Sequence, residues 1–239
     1  MEVNSTDLKN NLGKYLRLCN REDIIITSNG RKVARLSSFD DLGTGGDVLR
    51  EKVARHEANN KSYEEFLELT KSSDDRYEYI DGQIYYLVSP KTVHQKISGE
   101  LYGLFYNWFK GKKCRPFFAP YDITLKRTND DINVVQPDLM VICDLEENLN
   151  EKNYYMGVPK LLVEIISENT RSKDLIKKLD LYMSTDVGEY WIVNPLSQEV
   201  YVYLFQDQNI SKNITYKDGE TVVSFTFAGL KVELDTIFT

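Results

Sequence analysis

Three cysteines and two histidines in 239 residues leave little material for a covalent or metal-bound framework. Cys19, Cys114 and Cys143 are widely spaced, form no Cys-x-x-Cys pair, and have only His56 and His94 to assist them. Neither a disulfide framework nor a structural zinc site is expected, and reduced thiols in a cytosol fit this pattern. No segment approaches the roughly 18 consecutive apolar residues of a membrane helix. The opening "MEVNSTDLKNNLGKYL" is polar and amphipathic and lacks the apolar core of a signal sequence, so a cytoplasmic protein with no membrane partner is expected. An excess of positive charge is missing too. The net charge of −7 excludes a broadly basic surface that coats nucleic acid, although a local basic groove would be invisible in that sum.

What is present is core-forming material: 41% apolar and 12% aromatic residues, enough for one large domain or two unequal ones. Charge divides the chain. Residues 1 to 36 hold seven Lys and Arg against four Asp and Glu, so the remainder carries −10. Within that first stretch, Ser5 or Thr6 can cap a helix whose Leu8, Leu12, Tyr15, Leu16 and Cys19 recur at three- and four-residue intervals. "DIIITSNGRKVARL" then reads as a hairpin about Asn29-Gly30, with Val33 and Leu36 on one face of its second strand. A helix and a hairpin of about 40 residues are marginal alone, which predicts dimerisation or support from the rest of the chain.

The residues "VNSTDLKNNLGKYL…DIIITSNGRKVARLSSFDDL" resemble the N-terminal domain of the Phd/YefM antitoxins, over residues 1 to 42. The resemblance implies a dimeric, DNA-binding unit, and a toxin partner would follow from it. Lys9, Lys14, Arg31 and Lys32 are the candidate phosphate contacts, with solvated surface charge as the alternative reading. Residues 43 to 62 contain a Gly-rich break followed by a charged stretch and read as a linker.

From residue 63 the pattern predicts a helix at 63–71, two strands around Asp81-Gly82, and a long helix at about 91–110. Strands are expected at 114–126, 134–143 and 160–167, a helix at 171–185, and strands at 189–193 and 199–206, with a late hairpin turning at Asp218-Gly219. Alternating strands and helices indicate an α/β fold with a mixed sheet.

Two apolar strands each carry an acid: Asp138 follows Pro137 in "VVQPDLMVICD", and Glu164 interrupts "LLVEIISENT". Burying an ionised carboxylate is unfavourable by several kcal/mol unless an Arg, several N–H donors or a cation compensates. If the strands are neighbours, the pair could supply oxygen ligands to Mg²⁺, which keeps several waters and binds substrate phosphate. Downstream, Asp174, Lys178 and Tyr182 share one helical face, and an ammonium there could orient a nucleophilic water or stabilise developing charge. Lys177 projects about 100° away and is the weaker candidate. Salt bridges or polar strand edges remain an equal reading of these acids on spacing alone.

The ordered set "YEYIDG…PD…VEIISENT…VGEYWIVNP", closing on "GLKVELDTIF", resembles the Uma-two family of restriction-endonuclease-like proteins, which share the PD-(D/E)XK nuclease fold. The match covers residues 63 to 239. It implies an α+β mixed-sheet nuclease core, Asp138 and Glu164 as metal ligands, Glu78 of "EYIDG" as a third acid, and Mg²⁺ or Mn²⁺ as the cofactor. The lysine of the general motif is replaced by Ile166, and the resemblance implies that Lys178 takes over its role. His94 matches a frequent histidine of the family and reads more simply as a capping or packing residue. Glu100 is a weaker acid candidate; Ser167 and Thr170 would shape the turn before Lys178, and Tyr182, Tyr190 and Trp191 read as core. Two functions follow: a metal-dependent endonuclease hydrolysing DNA, tethered or regulated by the antitoxin-like unit, or a catalytically silent DNA-binding regulator that uses the nuclease fold as a platform.

Overall fold

The computed structural model describes residues 1–10, 12–19, 23–28, 31–36, 61–167, 173–217 and 219–238. It divides into two compact units, Met1–Asn60 and Lys61–Thr239. Most of the stretch expected as a linker, together with the Asn29-Gly30 turn, lies outside the described residues.

In the first unit β1 (Glu2–Asn4) runs parallel to β2 (Ile24–Ser28), which pairs antiparallel with β3 (Arg31–Leu36). Over the stretch where a helix was expected, the described residues are helical as α1 (Ser5–Asn10) and α2 (Leu12–Leu18), with Asn11 between them outside the described residues, and the side chain that caps the start is Asn4, whose Oδ1 accepts from Thr6 N at 2.9 Å. Val3, Tyr15, Cys19 and Ile24 form the core, with Leu8 and Leu36 packed against it. Val33 is 58% exposed, against expectation. The cause is a register shift: Ile26 faces Ala34 while Thr27 faces Lys32, so Val33 is the extra residue of a bulge.

The second unit opens on α3 (Tyr63–Ser72), held by a capping box in which Ser62 Oγ accepts from Glu65 N and Glu65 Oε2 accepts from Ser62 N. Strands β4 (Tyr77–Ile80) and β5 (Gln83–Tyr86) follow, then α4 (Thr92–Phe109). The expected strand 114–126 is two strands, β6 (Arg115–Phe118) and β7 (Ile123–Lys126), and 134–143 is likewise β8 (Ile132–Val135) and β9 (Leu139–Ile142). Each pair is divided at a proline, Pro120 or Pro137, which brings no N–H to continue a ladder. The chain thereby leaves one sheet for another.

Next come β10 (Leu161–Ile165), a π-type helical turn (Lys173–Lys178), α5 (Leu179–Met183), β11 (Glu189–Asn194), β12 (Glu199–Gln206) and β13 (Asn209–Tyr216). Strands β14 (Thr221–Val223) and β15 (Lys231–Glu233) and helix α6 (Leu234–Ile237) complete it. The main sheet has the order β13-β12-β11-β10-β9-β6, a second has β5-β4-β8-β7, and β14 pairs with β15. A hairpin joins β12 to β13 about Asp207 and Gln208, both at positive φ, while Asp218 of the expected Asp218-Gly219 turn lies outside the described residues, flanked by Glu220 N donating to Lys217 O at 2.9 Å.

β10 and β11 are parallel and every residue in them is buried, which is why both are mostly apolar, with Glu164, Glu189 and Asn194 as the buried polar exceptions. On one face of the main sheet, Ile97, Leu101, Phe105 and Phe109 of α4 pack on Leu139, Val141, Leu161, Val163 and Trp191. Burying each such side chain contributes about 1.5–3 kcal/mol. Against the expectation of free thiols, Cys114 and Cys143 are joined, with sulfurs 2.11 Å apart. Arg115 faces Ile142 across the antiparallel β6–β9 ladder, so one step further sets the two cysteines opposite each other, a proximity that 29 residues of separation hides.

Candidate active site

The same register logic brings the acids together. Leu139 faces Val163 across the antiparallel β9–β10 ladder, so the next step sets Asp138, just before β9, opposite Glu164. Asp138 stays near this pairing because its Oδ2 accepts from Ile165 N at 2.7 Å and lies 3.1 Å from His94 Nε2. Its side chain is 18% exposed, whereas Glu164 is 4% exposed.

Behind Glu164 lies a buried ion cluster. Lys178 Nζ is 2.7 Å from Glu164 Oε1 and 2.7 Å from Oε1 of Glu78, which is itself fully buried on β4. Tyr182, one turn beyond Lys178, donates its hydroxyl to the same Glu164 oxygen at 2.9 Å. Tyr182 is thus both core and partner of the acid. Glu78 also accepts from Gln136 N at 3.0 Å, and Gln136 Nε2 donates to Asp122 Oδ1 at 2.7 Å. One ammonium joins the main sheet to the second sheet, and the carboxylate inside "LLVEIISENT" is compensated by Lys178 and Tyr182.

Neighbouring groups fix this arrangement. Lys177 Nζ donates to Gln83 and to the Tyr85 hydroxyl on β5, and burial pulls its pKa down, against a smaller upward pull from Asp81. The Tyr85 phenol is pushed up to about 12, chiefly by burial, with Asp81 and Glu78 adding to it. Arg127 ties Asp81 (2.6 Å) and Asp131 (3.0 Å) of the second sheet's turns to Asp180 (3.2 Å) on α5, the helix that follows Lys178.

Lys178 therefore bridges Glu164 and Glu78, and Asp138 is held beside Glu164 through Ile165 N. His94, read from sequence as packing, contacts Asp138; its place at the start of the long helix was the available signal. Glu100 is exposed on α4, and the side chain of Asp174 and all of Thr170 lie outside the described residues. Among the nucleic-acid candidates, Lys14, Arg31 and Lys32 are exposed, Lys32 pairs with Glu2 at 2.7 Å, and the Lys9 side chain is not among those described.

Two hard oxygen donors side by side, the Asp138 carboxylate partly exposed and the Glu164 carboxylate buried, are the donor type that a hard ion retaining most of its water takes. Glu78 faces the ammonium and a backbone N–H instead. Among the described residues no three His, Cys, Asp or Glu side chains form a group able to hold a metal ion. No described helix is long and apolar enough to cross a membrane.

Comparison with known proteins gives this geometry a context. Residues 1–43 match the Phd/YefM family, described as "Antitoxin Phd_YefM, type II toxin-antitoxin system". An uncharacterized protein of Synechocystis is 28% identical over 178 residues, covering 74% of this chain and 90% of that protein. A crystal structure from Anabaena variabilis, titled a "putative nuclease belonging to DUF820", shares the fold with a TM-score of 0.60 at 22% identity, covering 73% of this chain and 96% of that one. Residues 63–235 match the family model Uma2, "Putative restriction endonuclease", and on that match the chain belongs to the Uma2 family.

Proposed function

We propose that the protein is a metal-dependent endonuclease that hydrolyses DNA phosphodiester bonds. The observation carrying this reading is the pairing of partly exposed Asp138 with Glu164, backed by the buried Lys178 ammonium. Asp138 and Glu164 would hold Mg²⁺ or Mn²⁺, which when bound supplies positive charge against the phosphate and lowers the pKa of a coordinated water. Lys178, at 2% exposed, acts from behind Glu164 as a positioning residue: it keeps that carboxylate charged and aimed. His94 orients the Asp138 carboxylate from the other side. Ile165 N–H and His94 Nε2 hold the same Asp138 oxygen, Oδ2.

The purified full chain should cleave DNA when Mg²⁺ or Mn²⁺ is supplied. Asp138→Ala and Glu164→Ala should each reduce cleavage to background, with RNA tested in parallel. Activity unchanged in both variants would refute the assignment. The antitoxin-like unit supports a tethering role in a homodimer, with Arg31 and Lys32 exposed on β3 as phosphate contacts. Gel shifts on the protein's own promoter after Arg31→Ala and Lys32→Ala test that role; unaltered affinity would remove it.

A further inference from the structure

In a chain of net charge −7, residues 101–121 contain no acid at all, and they carry Lys110, Lys112, Lys113 and Arg115 together with eight aromatic residues. The structure spreads this segment over the end of α4, the loop after it, and β6, the edge strand of the main sheet. All four basic residues are exposed. Lys113 reaches Glu147 at 3.2 Å across an exposed ion pair, and the Lys112 ammonium lies over the Trp108 ring.

Beside them is an uncovered aromatic ledge. Phe118 is 52% exposed and Tyr106 51% exposed. Tyr102 joins them, its ring 4.6 Å from Phe118 edge to face and 5.9 Å from Tyr106. Helix dipole complementation explains a cation or two after α4, and a charged edge strand resists aggregation. Neither effect explains large rings held out in water next to those charges.

We propose that this strip is a binding site for single-stranded or unpaired nucleic acid, with bases stacked on Phe118, Tyr102 and Tyr106 and phosphates on Lys110, Lys112, Lys113 and Arg115. Alternating cations and stacking faces is how single strands are held without sequence readout. The strip and the candidate site share α4, which carries both His94 and Tyr102. Tyr102 lies eight residues beyond His94 on α4, about 12 Å at the helical rise, or about three to four stacked nucleotides at 3.4 Å each. His94 contacts Asp138, and Phe118 pairs with Leu139, the residue after Asp138. A strand whose phosphate sits at Asp138 would reach the ledge within a few nucleotides. The link to cleavage rests on the nuclease reading; binding by the strip does not.

The test is fluorescence anisotropy of the full chain with labelled oligodeoxythymidine and with a blunt duplex, in EDTA so that nothing is cut, over a salt series. Replacing Lys110, Lys112, Lys113 and Arg115 together by Gln should flatten the plot of log affinity against log salt by about 2 to 3, at about 0.7 for each phosphate left unneutralised. Phe118→Ala with Tyr106→Ala should weaken single-strand binding about tenfold or more and leave the salt slope unchanged. An unchanged slope in the charge variant, or equal single-strand affinity in the aromatic variant, overturns the proposal. Cleavage in Mg²⁺ by Asp138→Ala is read separately, so failure of the strip and failure of the nuclease reading give different results.

Discussion

Lys178 is the residue on which the buried charges depend. Replaced by Met, it would leave Glu164 and Glu78 without their shared ammonium in a space where neither is exposed beyond 4%. Removing one member of such a cluster is unfavourable by about 3–5 kcal/mol, so Lys178→Met should lower stability by that amount in urea denaturation. Adding Glu164→Gln and Glu78→Gln should restore most of that stability, because the uncompensated charge goes too. Tyr85 gives a pH test. Its phenol ionises at about 12 in the folded chain against 10.0 ordinarily, so the folded state resists losing the proton. Its contribution to stability is fully present below pH 10 and is lost as pH rises to about 12. Tyr85→Phe should flatten the stability curve in that window alone, as followed by denaturation at fixed pH values. Asp138 and Glu164 were legible because each stands among apolar neighbours. The His94 contact was not, since it depends on how a helix start meets a strand start about 44 residues away.

Helix α4 carries Gly99 and Gly103 at positions where an added Cβ meets nothing within 4 Å. Glycine within a helix is destabilising by roughly 0.5–1 kcal/mol relative to alanine. Gly99→Ala should therefore raise stability by about that much, measured as a shift in denaturation midpoint at constant m-value. The periodicity that locates α3 and α4 is strong because each buries one face repeatedly. Strand boundaries are harder. The runs 114–126 and 134–143 are rich in apolar residues, and only Pro120 and Pro137 mark where the chain changes sheets. β1 has three residues, too few for a period, and its parallel pairing with β2 is set by tertiary contact. β13 is hidden in the sequence because five consecutive residues, Ser211–Thr215, are exposed and give no apolar alternation.

As a whole, the chain joins a small unit, whose core among the described residues has four members, to a much larger one. Ile24 is fully buried in the small core, so Ile24→Ala should cost about 2–5 kcal/mol there, enough to melt a marginal unit. Calorimetry should then show the first unit's transition abolished and that of residues 61–239 retained. The ordered motifs announced the family of the larger unit. The Cys114–Cys143 bond and the bridge from Lys178 to Glu78 were not readable, because each joins elements brought together only by sheet order. The π-type turn at Lys173–Lys178 has a consequence for how this protein tolerates change in length. Such a turn holds about one residue more than an α-helical turn, and it ends on the two lysines that reach different strands. Deleting a single residue there, with every acid and lysine retained, would rotate both lysines off their partners. Chain length in this segment is itself a determinant of the site, and a one-residue gap should behave as a mutation of Lys178.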